Sequence, residues 1–98
     1  MQHIITNRIF SPMKREDGNL EGYFQCTIDD WINIDGIIIY KRGDEVSFRT
    51  PAKKLRAGGL IPYYQIRDKE AETQIIKAIK EEMQKAETER FFFASKED

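Results

Sequence analysis

EGYFQCTIDDWINIDGIIIYKRGDEVSFRT, residues 21–50, is the stretch whose reading decides the fold. Its first part alternates Tyr23, Gln25 and Thr27 with Phe24, Cys26 and Ile28. That is the period-two pattern of a half-buried strand, and Phe24, Cys26 and Ile28 are the set expected to face a core. Asp29-Asp30 breaks the alternation. Ile32, Ile34, Ile37, Ile38, Ile39 and Tyr40 then form the most β-branched run of the chain, a long strand with a bulge or bend at Asp35-Gly36. The polar turn Lys41-Arg42-Gly43-Asp44 leads into a fourth strand, in which Val46, Phe48 and Thr50 alternate with Ser47 and Arg49 as far as Pro51.

Outward from this block, His3 to Phe10 reads as a first strand that stops at Ser11-Pro12, and Lys14 to Asn19, with Asp17-Gly18, as an exposed hairpin connection. On the other side, Ala52 to Gly59 reads as a basic loop and Leu60 to Ile66 as a fifth, shorter strand. Asp68 is placed to cap a helix over residues 69 to 87, with Glu70 and Glu72 at its positive end and Ala71, Ile75, Ile76, Ile79, Met83 and Ala86 at helical spacing. The order βββββα predicts an α+β fold, an antiparallel sheet of about five strands with one C-terminal amphipathic helix on one face. Residues 1–90 are expected to be a single domain, and residues 91–98 a short tail, aromatic at Phe91-Phe92-Phe93 and acidic at Glu97-Asp98. One helix cannot cover both faces and both edges of such a sheet, so a homodimer joined through the sheet is expected.

The 98 residues suffice for one core and are too few for two. Sixteen Lys and Arg nearly balance seventeen Asp and Glu, and the net charge of −1 supplies no global attraction to nucleic acid or to an anionic membrane. Any such attraction must be local. Cys26 is the sole cysteine, which excludes an internal disulfide and a thiolate metal cluster and favours a reducing, cytoplasmic setting. Met1-Gln2-His3-Ile4-Ile5 lacks a basic segment followed by an apolar one, and no apolar run nears the roughly 18 residues that span a bilayer, so neither export nor membrane insertion is expected.

The strongest functional feature is local charge. Between residues 49 and 67 there are five cations, Arg49, Lys53, Lys54, Arg56 and Arg67, and no carboxylate. Such side chains on a glycine-flexible loop can reach phosphate oxygens and release counterions, while Tyr63 and Tyr64 offer stacking surfaces to exposed bases. The plainer alternative is a solvated loop, with one tyrosine in the core and the other at an interface. Arg49, on a strand, could read a guanine edge or pair with Glu45 or Asp35. Lys41 and Arg42 at a hairpin tip read as solubilising. Asp29, Asp30 and Asp35 sit where aspartate satisfies local amides, and a metal site is not expected from them. His3 stands alone, Cys26 falls on the apolar face, and Gly58-Gly59 precedes a strand rather than a helix. No catalytic set, no metal and no cofactor is indicated.

Thr27-Ile28-Asp29-Asp30, then Ile32, Ile34 and Gly36-Ile37-Ile38, the return through Val46-Ser47-Phe48, and Pro51-Ala52-Lys53-Lys54 together resemble the signature of the SpoVG family, the stage V sporulation protein G septation regulators. The likeness continues through Gly58-Gly59 and a fifth strand to a closing helix, and spans roughly residues 3 to 86. It implies a small bacterial or bacteriophage dimer, βββββα in each chain, that binds DNA and in some members RNA. It implies a regulator of gene expression rather than an enzyme. Lys53, Lys54 and Arg56 would contact phosphates, flanked by Arg49 and Arg67. A module that captures a protein through a sheet edge or the Phe91 to Phe93 tail is the alternative from a different class.

Overall fold

The computed structural model describes residues 2–13 and 20–96, with backbone alone for Leu20 and for residues 90–96. The connection expected at Asp17-Gly18 lies outside the described residues. Six strands precede one helix: β1 (Ile5–Pro12), β2 (Leu20–Ile28), β3 (Ile32–Arg42), β4 (Glu45–Arg49), β5 (Ala52–Lys54), β6 (Leu60–Pro62) and α1 (Lys69–Lys96). The first four form an antiparallel meander in the order β1-β2-β3-β4, and β5 and β6 pair only with each other. The α+β class and the closing helix are as expected. The fifth strand is not part of the main sheet.

Local chemistry explains each join. Asp29 and Asp30 both have positive φ, 51° and 62°, and the Trp31 amide donates to the Ile28 carbonyl at 3.2 Å. This is a type I′ hairpin turn, in which aspartate tolerates the left-handed backbone and the turn matches strand twist. Between β3 and β4 the two-residue link Gly43-Asp44 takes positive φ at its glycine. β1 runs through Ser11 and Pro12 instead of stopping before them, because it is an edge strand, where a missing proline N–H breaks no ladder on the open side.

The long β3 carries the bulge expected at Asp35-Gly36. Phe24 pairs with Ile37 and Cys26 with Ile34, so three residue steps on β3 oppose two on β2. Side chains alternate faces with period two, and Ile34 and Ile37 would point to opposite faces of a regular strand. The extra residue, with Gly36 at φ 73°, re-phases the strand, and both isoleucines are buried together with Ile39. A second bulge lies in β1 between Thr6 and Ile9, where Asn7 has φ 50°. It brings Phe10 back to the face of Ile5, and Asn7 donates to Thr27 Oγ1 at 3.0 Å, which donates to Asn33 Oδ1 at 2.6 Å.

Asp68 caps α1: its Oδ1 accepts from the Glu70 amide at 2.9 Å and its carbonyl from the Glu72 amide at 3.0 Å. The helix packs Ile75, Ala78 and Ile79 onto Ile5, Phe24, Cys26, Ile34, Ile37, Ile39 and Val46, and Ala71 is buried in its first turn. Ile28 packs against this core from its margin. Arg8, turned out by the β1 bulge, ties the sheet to the middle of the helix through Glu81 at 2.7 Å and Glu82 at 3.7 Å. The helix backbone continues past the expected end at residue 87 to Lys96, since no glycine or proline follows to stop it.

Ile75→Ala removes a fully buried side chain at the helix–sheet seam and is expected to cost about 2–5 kcal/mol, read as a lower midpoint in urea unfolding with an unchanged slope. Gly22→Ala is expected to destabilise as well, because an added Cβ would lie 2.3 Å from the Ser11 carbonyl oxygen.

Candidate nucleic-acid interface

Pro51 ends β4, and Pro62 removes a donor from β6, so the segment between them can pair only over a short length. It does so as a hairpin: Ala52 opposite Pro62, Lys53 opposite Ile61 and Lys54 opposite Leu60. Lys53 and Lys54 therefore stand on a strand rather than in the expected loop. The turn is Leu55 to Gly59, closed by the Leu55 amide on the Gly59 carbonyl and the Gly58 amide on the Leu55 carbonyl, both at 3.1 Å, with Gly58 and Gly59 at φ 92° and 90°. Arg56 lies in that turn, exposed like both lysines.

The hairpin stands apart from the four-stranded sheet and is fixed at its base. The Tyr63 amide donates to the Pro51 carbonyl at 2.9 Å, and the Tyr64 hydroxyl donates to the Asp35 carbonyl at 2.6 Å. Tyr64 also packs against the core, and burial pushes its hydroxyl up to about 12, assisted by the nearby Asp35 charge. Of the two tyrosines singled out for stacking, Tyr63 is the one left open, at 68% exposure. Leu60 and Ile61 on the same ribbon are each 53% exposed.

Arg49 and Arg67 come together elsewhere. They line one groove of about 270 Å³ with Thr50, Gln65 and Glu72, between the end of β4 and the segment that enters the helix. Arg67 donates to Gln65 Oε1 at 3.1 Å. Among the described residues neither Arg49 nor Lys53, Lys54 or Arg56 forms an ion pair, so the partners Glu45 and Asp35 considered for Arg49 do not hold it. The five cations thus make two sets, a pair in a groove and a trio on the hairpin. The arrangement offers an extended polyanion points of contact at both sets.

The other expected sites fall as follows. Cys26 is buried in the core, where desolvation pushes its thiol up to about 11. Asp35 accepts from the Gly36 amide at 2.7 Å. Among the described residues no three His, Cys, Asp or Glu side chains converge as metal ligands, and no helix is long and apolar enough to cross a membrane. No protein-family model and no curated protein matches the chain.

One cluster escaped the sequence reading. His3 is not alone: its Nδ1 lies 2.6 Å from Asp29 Oδ2 and its Nε2 2.9 Å from Asp68 Oδ2, while Asp29 Oδ1 accepts from the Ile4 amide at 2.9 Å. The imidazole clasps the N-terminal segment, the β2–β3 turn and the helix cap. Its partners are 26 and 65 residues away in sequence, and no local pattern announces them. The hydrogen bonds to Asp29 and then Asp68 raise the His3 pKa above 6.5, and the bond from His3 is the first cause that lowers each aspartate below 3.8.

The raised histidine stabilises the fold fully below its unfolded value and loses that contribution as pH rises through the folded one. The lowered aspartates contribute above their unfolded value and lose it as pH falls. The melting-temperature gap between wild type and His3→Ala is therefore expected to be widest between about pH 4 and 6, to narrow at alkaline and strongly acidic pH, and to shrink with salt. A gap independent of pH from 5 to 9 would show that His3 acts through packing alone.

Proposed function

We propose that the chain is a SpoVG-like regulator of gene expression that binds nucleic acid, DNA or, as in some members of that family, RNA, as a homodimer in the cytoplasm. What carries the reading is the run from Arg49 to Arg67, five cations without a carboxylate in a chain of net charge −1. The hairpin that holds three of them extends from the sheet, and its cations are not neutralised by ion pairs among the described residues. Charge placed this way attracts a phosphate backbone without regard to sequence. The order of strands and helix and the Pro51-Ala52-Lys53-Lys54 element support the family likeness.

The dimer joins through the edge of the sheet. β4 is a terminal strand of the meander with one side of its ladder unpaired, and an isolated two-stranded hairpin with half-exposed Leu60 and Ile61 gains from a neighbour. Two copies related by a twofold axis would present two basic hairpins at a fixed spacing, which raises avidity on one target.

Replacing Lys53, Lys54 and Arg56 with Ala is expected to weaken binding to duplex DNA and to RNA alike. It is also expected to reduce the slope of log K against log salt by about 2–3, since each phosphate contact adds about 0.7–0.9. Fluorescence anisotropy across a salt series, with circular dichroism to verify folding, reads both. Unchanged affinity in the folded variant would remove the hairpin from the site. Absence of wild-type binding at low salt would transfer the function to a protein partner.

A further inference from the structure

α1 covers one face of the meander, among the described residues no other element packs on the opposite face, and the strand register fixes what that face carries. Ser11 pairs with Tyr23, Tyr23 with Ile38, and Ile38 with Arg49, a row that crosses all four strands. Tyr40 follows Ile38 on the same face and pairs with Ser47, two residues along β3 from the partner of Tyr23, where the β2–β3 register shifts between Leu20 and Gly22. The two rings therefore sit on the two central strands. Tyr23 is 42% exposed, and Tyr40 borders a groove of about 350 Å³ with Arg42, Glu45 and Ser47.

We propose that this open face is a stacking platform for single-stranded nucleic acid. Successive bases lie on Tyr23 and Tyr40, and the backbone passes over Arg49 toward the lysines of β5. The inference rests on the nucleic-acid reading above and adds where, and in which form, the strand is held. Bases are available for stacking only when unpaired, and every base offers a face to an aromatic ring. The groove beside Tyr40 supplies polar groups for one base edge: Glu45 accepts from an exocyclic amine, and Arg42 and Ser47 donate to a ring nitrogen or carbonyl.

The occupant follows from the charge of the face. Two guanidinium groups against the Glu45 carboxylate suit a polyanion, and Arg49 stands two residues before Pro51, where the chain passes into the basic hairpin. Arg42, Glu45 and Arg49 lie along the β3–β4 margin of the face, where a strand leaving the tyrosines would meet them on its way to the hairpin. A dimer joined through the β4 edge lengthens the sheet and leaves this face open.

The test compares wild type with Tyr23→Leu/Tyr40→Leu, which keeps apolar bulk on the strands and removes the rings. The probes are a mixed-sequence single-stranded RNA and a duplex DNA of equal length. Single-strand affinity is expected to fall on the order of tenfold for each ring lost, while duplex affinity holds. Equal single-strand affinity in the folded variant would overturn the platform and leave the hairpin reading intact. No binding of either probe by wild type would overturn both. A variant that becomes monomeric by light scattering while keeping its single-strand affinity would assign the face to a second copy and likewise overturn the proposal. If the double variant does not fold, photocrosslinking of wild type to a bromouridine-containing single strand decides. Adducts within residues 20–49 support the platform, and adducts confined to residues 52–62 sink it.

Discussion

The backbone bulge at Gly36 is the constraint on which the rest of the fold depends. It places Ile34, Ile37 and Ile39 on one face although their spacing is uneven, and Ile37 and Ile39 are wholly buried beneath the helix. The same irregularity exposes the Asp35 carbonyl, which the Tyr64 hydroxyl takes up, and sets Gly36 close to the Pro51 ring. One residue of extra length in β3 thus determines both how the core closes and where the basic hairpin begins.

Around that point charge is distributed by necessity of topology. The chain must pass from the end of β4 to the helix cap at Asp68, and the segment between pairs with itself as β5 and β6 instead of joining the sheet. The five cations from Arg49 to Arg67 have no carboxylate between them in sequence, whereas Arg8 is neutralised by Glu81 and Glu82. A nearly neutral protein can in this way keep a strongly positive limb.

Much of this was legible in the sequence. The alternation in β2, the Asp35-Gly36 bulge, the Asp68 cap and the helical spacing of Ile75 and Ile79 are local patterns, and local patterns survive folding. The cations of residues 49 to 67 were visible for the same reason, since charge is written in composition. The detachment of β5 and β6 was not visible, because a strand's sheet membership is decided by partners distant in sequence. Likewise the place of Tyr64 depends on a carbonyl 29 residues away, and that of His3 on two carboxylates farther off. The continuation of the helix beyond residue 87 lay within reach, had the lack of a stop signal weighed more than the end of the apolar stripe.

A two-stranded limb is tied at its root by the Tyr63 amide and the neighbouring Tyr64 hydroxyl, and a lone hairpin is of itself only marginally stable. Any ligand that grips Lys53 and Lys54 must order their long side chains, and part of the gross attraction is consumed in doing so. The limb gains reach and forgiveness in exchange. On the proposed reading, such a limb would settle on phosphates of varying spacing and discriminate by charge density more than by fixed shape.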